Sequence, residues 1–283
     1  MYYLPVVGAV ANAFSVIFQR IILVKKKVDI KSFQVTAFLA ATLLFLPFVY
    51  FFFHVSPEAL TTTNIILFLV VILFSIVANL ALFYSIKGEK ISSLEPAFAL
   101  EPLFTVILAV IASFFFEGLF DRNLNIVIPA FIAGIALVLS HVKRHHLRFD
   151  NYFIAAIVAS FFFASELVVS KFILDYYTPL TFYFLRCLGV FLVSLLIFRP
   201  KFSGINNKIR LEILGIAFLW ISFRVIVYYG YLNLGVVFTT LIVMLAPIFT
   251  YFLAWWILKE KIRWQDIVTS LIIIACVVYA VLI

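Results

Sequence analysis

The sequence predicts an all-α integral membrane protein with ten transmembrane helices, arranged as two inverted five-helix repeats. Ten apolar stretches of about 20 residues, each long enough to cross a bilayer as a helix, make up nearly the whole chain. Hydrophobic residues account for 66% of the sequence and charged residues for only 12%. No soluble domain covers that much apolar surface, so the chain must lie in a membrane.

Short polar breaks define the ten predicted spans. We predict helices over residues 4–23, 32–53, 64–86, 92–116, 124–141, 150–174, 178–198, 210–233, 236–257 and 264–282. The breaks leave no room for a folded domain outside the membrane. The first repeat is predicted to occupy residues 1–146 and the second residues 147–283.

The basic residues predict how the chain is oriented. The net charge is +8, but 16 Lys and Arg residues lie in the odd-numbered loops, against Arg122 alone in the even-numbered loops. The positive-inside rule therefore places the odd loops in the cytoplasm and both termini outside the cell membrane. This charge is expected to meet lipid headgroups, and no nucleic-acid partner is expected.

Two segments indicate an internal duplication. Ala81-Leu-Phe-Tyr84 is followed, eighteen residues after its tyrosine, by Pro102-Leu-Phe-Thr105. Val227-Tyr-Tyr229 is followed at the same distance by Pro247-Ile-Phe-Thr250. Each proline segment precedes a glutamate, Glu117 or Glu260. Because five spans is an odd number, the second copy must be inverted relative to the first, an arrangement found in secondary transporters.

Taken together, this layout resembles the EamA family of the drug/metabolite transporter superfamily. The strongest likeness lies in the segment from Ala81 to Pro96, and the segment from Tyr229 to Thr240 is similar. The resemblance implies a secondary transporter or exporter of small metabolites. Relatives are often drawn with both termini in the cytoplasm, the reverse of what the loop charges of this chain predict.

Ionisable residues in the middle of spans are the strongest pointers to a site. Arg186 and Arg224 are central in the seventh and eighth spans, and a central arginine costs about 2.5–3.5 kcal/mol on insertion. Glu101 and Glu166 lie at similar depth in the fourth and sixth. These groups either form an ion pair that only joins helices, such as Glu166 with Arg186, or bind substrate or a proton.

Helical spacing groups further candidates with these charges. In the first span, polar and small residues recur on one face, and in the eighth span aromatic residues share a face with Arg224. Asn79 and Arg224 each stand five residues before the tyrosine of their repeat, which makes them equivalent positions. The predicted substrate-binding residues are Asn12, Gln19, Asn79, Glu101, Glu166, Arg186, Trp220, Arg224 and Tyr228.

Gating residues are predicted near the repeated prolines. Pro102 and Pro247 interrupt the hydrogen bonds of their helices and are interpreted as hinges, with a static kink as the alternative. Glu95 is six residues from Glu101 and faces another direction on a helix, so we place Glu95 at the gate and Glu101 in the cavity.

Two arginines, several glutamates and aromatic walls suit a small carboxylate or zwitterion. Arginine binds such anions bidentately, and aromatic side chains contact the apolar remainder. We therefore expect a transporter, in the exporting direction, of amino acids or related compounds by alternating access. Glu101 or Glu166 could carry a coupling proton, because desolvation disfavours a charged carboxylate.

Two other classes of function stay open. A flippase for a lipid or lipid-linked sugar would use the same fold with a lateral opening. An intramembrane enzyme would need paired aspartates, a metal set or an activated serine within the spans. No such set or metal-ligand spacing is evident in the sequence, so neither catalysis nor a metal is expected. No nucleotide-binding loop or other cofactor motif occurs either. A monomer and a homodimer are equally compatible with the sequence.

Overall fold

A computed structural model describes residues 3–88, 94, 97–116, 118–120, 123–141, 150–200, 205–258 and 264–282. Helices account for most of these residues, and none of them belongs to a β-strand apart from one isolated bridge. The helices are α1 (Tyr3–Arg20), α2 (Ile30–Phe45), α3 (Thr62–Gly88), α4 (Leu100–Phe115), α5 (Leu124–His141), α6 (Asn151–Leu174), α7 (Pro179–Phe198), α8 (Asn207–Asn233), α9 (Val236–Val243), α10 (Ala246–Leu253) and α11 (Trp264–Leu282).

Short irregular segments extend several of these helices. A π-helical turn, Ile21–Lys25, prolongs α1, and another, Ala254–Leu258, prolongs α10. A 3-10 turn and the short helix Val49–Phe52 prolong α2. With these extensions, the helices follow the predicted apolar stretches closely.

Polar residues in the breaks start the helices. The Asp29 carboxylate accepts hydrogen bonds from the first backbone N–H groups of α2, and Asp150 does the same for α6. Thr178 and Asn206 cap α7 and α8 in the same way. These side chains satisfy amide groups that have no partner within the helix, which explains why each helix begins at a polar break.

Seven helical stretches among the described residues are long and apolar enough to cross a membrane. Three others, Leu100–Phe115, Leu124–Leu139 and Ile267–Leu282, are apolar but shorter. The chain is therefore an all-helical membrane-embedded protein. Its described helices overlap the ten predicted stretches, and the ninth stretch is divided between α9 and α10. The exact ten-span arrangement stays a prediction.

The helices pack in a repeating pattern. Helix α3 lies along α6, and α8 lies along α1. Helix α4 also contacts α6, while α9 and α10 contact α1. Helix α2 packs against α7, and α5 packs against α11. The helices that carry the intramembrane charges therefore surround one central region.

Two helix interruptions lie at this central region. Helix α9 ends at Val243 and α10 begins at Ala246, with Pro247 in its first turn. Helix α4 begins after Ala99, which is in a turn, and carries Pro102 in its own first turn. Both prolines thus follow a break in their helix, where their missing N–H group leaves no internal hydrogen bond unmade.

Polar side chains are buried inside the molecule, while apolar ones cover much of its outside. Glu166 is fully buried, and Arg186 and Arg224 are nearly so. Large apolar side chains such as Phe115 and Leu196 are exposed on the outer surface. This distribution is what a lipid environment requires, because lipid solvates apolar groups and excludes charge.

Candidate functional site

A cavity of about 160 Å³ lies in the middle of the molecule, bounded by helices from both halves of the chain. Most of the residues predicted to bind substrate line it. These are Asn12, Gln19, Asn79, Glu101, Arg186, Trp220 and Arg224. Pro102 and Pro247, predicted as hinges, also line the cavity.

Two residues predicted to bind substrate do not line this cavity. Glu166 and Tyr228 lie behind its wall, in contact with Arg186 or with each other. Glu95 lies outside the described residues, as do Glu117 and Glu260, the glutamates that follow the repeated proline segments.

Glu166 is the centre of a buried hydrogen-bond network. Its carboxylate accepts hydrogen bonds from Arg186 Nη2 at 3.1 Å and from the Tyr228 hydroxyl at 2.8 Å. The Arg186 Nε atom lies 3.1 Å from the other carboxylate oxygen. The hydroxyl of Ser170, one turn further along α6, lies 3.3 Å from the carboxylate but donates at 2.7 Å to the backbone oxygen of Glu166. A carboxylate with a paired guanidinium and a tyrosine donor can stay ionised away from water.

Arg186 is paired closely with Glu166, although its buried Nε atom makes no hydrogen bond there. Besides Glu166, its Nη2 atom donates to the Ser75 hydroxyl at 2.7 Å. The guanidinium also lies 5.3 Å from the centre of the Tyr183 ring, a cation–π contact. Its side chain is only 2% exposed. The ion pair with Glu166 that the sequence suggested is therefore present, and it joins α6 to α7.

The contacts of Arg224 with carboxylates are longer than those of Arg186. Its nearest carboxylate oxygens belong to Glu166, at 3.8 Å, and Glu101, at 4.0 Å. Its Nη1 atom is buried and has no hydrogen-bond acceptor among the described residues. The rings of Phe163 and Phe223 lie 5.2 and 5.5 Å from the guanidinium carbon. Arg224 thus faces the cavity as a cation without a close anionic partner.

Glu101 is the one cavity-lining carboxylate of the described residues. Its side chain is 30% exposed, whereas that of Glu166 is fully buried. Its ion-pair contact is the one to Arg224. It lies in the first turn of α4, next to Pro102 and close to the helix interruption.

Amide side chains supply neutral polar groups to the same cavity. Asn79 donates a hydrogen bond of 2.7 Å to the backbone oxygen of Ser75. Gln19 donates to the Ser15 hydroxyl at 3.4 Å, while its buried Oε1 atom has no donor among the described residues. The cavity therefore presents an unused acceptor in addition to the unused donor of Arg224.

Aromatic side chains form much of the remaining wall. Trp220 stacks on Phe83 at a centroid distance of 6.0 Å and contacts Phe33 and Phe38. Six further aromatic lining residues are absent from the predicted binding residues: Phe38, Phe98, Phe163, Tyr183, Phe223 and Tyr231. Tyr183 lies three residues before Arg186 and Phe163 three before Glu166, so helical spacing from the charged residues could have revealed both.

The residues that line this cavity are suited to binding a small molecule. The cavity offers a guanidinium, a carboxylate, amides and aromatic surfaces to one small molecule. Among the described residues, no group of three His, Cys, Asp or Glu side chains is placed to hold a metal ion.

The fold of the chain is similar to that of a solved structure. One crystal structure of a protein superposes on the chain with a TM-score of 0.67, covering 99% of this chain and 96% of the other at 14% identity. At that identity the likeness shows the fold alone. No curated protein matches the sequence.

A sequence-family model matches the second half of the chain. Residues 151–282 match the EamA-like transporter family. This match falls within the second predicted repeat and confirms the resemblance seen in the sequence. The match supports the drug/metabolite transporter superfamily and suggests a membrane transporter of small molecules.

Proposed function

We propose that this protein is a secondary active transporter that exports small carboxylate or zwitterionic metabolites, such as amino acids. The observation that carries the proposal is Arg224, a buried guanidinium that lines the central cavity and has no carboxylate acceptor closer than 3.8 Å. A carboxylate would supply that acceptor through a charge-assisted hydrogen bond. The aromatic walls suit the apolar part of the same solute.

Alternating access between two inverted repeats is the mechanism we propose for transport. Helices α3 and α8 both contain 27 residues, and Tyr84 and Tyr229 are each the twenty-third residue of their helix. The packing of α3 on α6 and of α8 on α1 is the pairing that an inverted 5+5 arrangement requires. These features support repeats at residues 1–146 and 147–283.

Aromatic pairs give independent support for the repeat. Phe33 of α2 meets Phe83 of α3 edge to face at 4.9 Å, and Phe182 of α7 meets Tyr228 of α8 edge to face at 5.1 Å. Phe33 and Phe182 are each the fourth residue of their helix, and Phe83 and Tyr228 are each the twenty-second. The same contact therefore recurs at equivalent positions in both halves.

A lipid flippase is the alternative that shares this fold. It differs in what it moves, because a lipid substrate does not need to dissolve in the aqueous space of a vesicle. Uptake of a water-soluble solute into sealed vesicles therefore separates the two functions. The enzyme alternative is opposed by the family, whose members are transporters.

Transport by reconstituted protein tests the proposal. Proteoliposomes are screened with radiolabelled amino acids and small carboxylates, with and without a pH gradient. We expect protein-dependent, saturable uptake that falls at least about tenfold in Arg224→Gln, since one charge-assisted hydrogen bond contributes about 1.5–3 kcal/mol. Glu212→Gln is the matched control, because Glu212 pairs with Lys26 away from the cavity. If no soluble solute moves, or if Arg224→Gln transports at the wild-type rate, the proposal is wrong.

A further inference from the structure

We propose that the anionic group of the substrate replaces Glu101 as the partner of Arg224, and that Glu101 takes up a proton when this happens. This inference rests on the proposed transport function and assigns the coupling proton to one residue. Among the described residues, two arginines and Glu101 line the cavity, and Glu166 lies behind its wall. When all four groups are ionised, they carry no net charge together. The question is which of these groups is free to exchange partners.

Arg186 is not free to exchange partners. It is tied to Glu166 through two of its nitrogen atoms and to Ser75 through a hydrogen bond of 2.7 Å. A substrate anion would have to break this enclosed set of contacts to reach it. Arg224 has no carboxylate oxygen within hydrogen-bond distance, because Glu166 lies 3.8 Å from its Nη1 atom and Glu101 lies 4.0 Å from its Nη2 atom. The incoming anion is therefore expected at Arg224.

Glu166 is not free to lose its charge either. Its carboxylate accepts hydrogen bonds from Arg186 and Tyr228 and is fully buried. Adding a proton to it would remove an acceptor from at least one of these donors and leave the Arg186 cation without its counter-charge. Both changes are costly in a buried site.

Glu101 has neither restraint. Its side chain is 30% exposed to the cavity, and its contact with Arg224, at 4.0 Å, is longer than a hydrogen bond. A substrate carboxylate can approach Arg224 more closely than Glu101 does. Once displaced, Glu101 would be a carboxylate in a poorly hydrated cavity beside the negative Glu166, which favours its protonation.

The groups around Glu101 define its electrostatic surroundings. Arg224 of α8 attracts the ionised carboxylate, and Glu166 of α6 repels it. Tyr231 of α8 lies close enough to interact with it as well. Of the other helices packed against α4, α9 contains no titratable residue, and α5 contains only His141, at its last position. Among these groups, the binding of an anion at Arg224 is therefore the main change in the charge that surrounds Glu101.

Charge balance predicts that one proton is taken up for each monoanion bound. Binding one monoanion adds one negative charge to a neutral set of four groups, and one proton on a Glu101 oxygen restores neutrality. The proton comes from the aqueous phase to which the cavity is open, and no covalent bond of the substrate changes. A dianion would leave one negative charge uncompensated, so the site should select compounds with a single anionic group.

Proton uptake on binding tests this inference. Purified wild-type protein in weakly buffered detergent is titrated with benzoate, using a pH indicator for protons and calorimetry for binding. Benzamide, the neutral molecule of the same shape, is the ligand control. We expect one proton to be taken up for each benzoate bound, and none with benzamide. Where Glu101 is ionised in the free protein, affinity should fall about tenfold for each unit of rising pH, as one linked proton requires.

Three variants identify the residue responsible. Glu101→Gln should bind benzoate without proton uptake and with an affinity that does not change from about pH 5 to pH 8. Arg224→Gln should lose benzoate binding and proton uptake together. Glu212→Gln should behave as wild type. The inference is overturned if Glu101→Gln still takes up a proton, if Arg224→Gln still binds benzoate with proton uptake, or if wild-type protein binds no benzoate.

These outcomes can be told apart from failure of the proposed function. If proteoliposomes transport a carboxylate and Glu101→Gln keeps the wild-type dependence on the pH gradient, then transport stands and the role of Glu101 is wrong. If no solute moves at all, the proposed function itself fails, whatever the proton measurements show.

Discussion

Arg186 and Arg224 look alike in the sequence, each a lone arginine near the centre of an apolar helix, yet their surroundings differ. Arg186 has a carboxylate at 3.1 Å and a hydroxyl at 2.7 Å. Arg224 has its nearest carboxylate oxygen at 3.8 Å and aromatic rings on its faces. A buried cation with a close carboxylate partner holds helices together, whereas one without a close carboxylate is suited to binding a ligand.

Replacing Glu166 should strongly destabilise the protein. Glu166→Gln keeps the size of the side chain but removes the negative charge that faces Arg186. Leaving a buried charge without its partner costs about 3–5 kcal/mol. The free energy of unfolding of detergent-solubilised protein, or its apparent melting temperature, measures the loss.

The exposed ion pair provides the comparison for this prediction. Lys26 and Glu212 are paired but each is at least a quarter exposed, so Glu212→Gln should cost less than about 1 kcal/mol. Adding Arg186→Met to Glu166→Gln should recover part of the stability, because the unpaired cation is then gone. Equal effects of the two glutamine substitutions would contradict the network described for Glu166.

At the scale of helices, the turn between α8 and α9 brings a glycine of one helix against a side chain of the next. Helix α8 ends at Asn233 and α9 begins at Val236, so Gly230 lies against Thr239 of the next helix. A Cβ atom at Gly230 would lie 2.6 Å from the Thr239 methyl and 2.7 Å from its hydroxyl. Only glycine fits this crossing without movement of the neighbouring helix.

Gly230→Ala should therefore destabilise the protein by about 1–3 kcal/mol, the usual cost of overpacking. Thr239→Ala should relieve the clash, since it removes both nearby atoms, and the Thr239 hydroxyl has no hydrogen-bond partner among the described residues. Thermal unfolding of the single and double variants tests for this coupling.

Another glycine of the same helix is the matched control. Nothing lies within 4 Å of a Cβ atom built at Gly215. Gly215→Ala should accordingly be neutral or stabilise α8 by up to about 1 kcal/mol, because glycine is a poor helix former. If both substitutions have the same effect, helix propensity rather than the α8–α9 contact decides the outcome.

At the scale of the whole molecule, the two ends are closed by different kinds of contact. At one end, backbone hydrogen bonds join the halves: the Ser56 N–H donates to the Tyr176 oxygen at 2.9 Å, and the His54 N–H donates to the Thr181 hydroxyl at 3.0 Å. At the end that carries the predicted cytoplasmic loops, the side-chain ion pair of Lys26 and Glu212 joins α8 to the segment that follows α1.

The loop charges predict that these ends face opposite sides of the membrane. In a background carrying Cys187→Ala and Cys276→Ala, Glu58→Cys should react with a membrane-impermeant maleimide added outside intact cells. Lys25→Cys should react only after the membrane is opened, because the odd loops are predicted to be cytoplasmic. Both positions are exposed, so burial does not limit the reaction. Labelling in the reverse pattern would show that both termini are cytoplasmic.

The positions of the helices could be predicted from the sequence, and most of the residues predicted to bind substrate line the cavity. Apolar length gives the helical stretches, and helical spacing selects Asn12, Gln19 and Arg224 as residues on inward faces. The distinction between Glu101 and Glu166 could not be predicted, since both are single acidic residues in apolar helices. It depends on hydrogen-bond donors from other helices, such as Tyr228 and Arg186, whose distance in space is not encoded in local spacing.

The sequence by itself determined that the chain is helical, lies in a membrane and carries charges at depths where lipid excludes them, because these properties follow from composition and periodicity along one segment. The tertiary structure decided which charges neutralise each other and which one faces open space. That outcome depends on contacts between helices far apart in the chain. Residues 20 positions apart, such as Glu166 and Arg186, become ion-pair partners, while Arg224 is left 4.0 Å from Glu101.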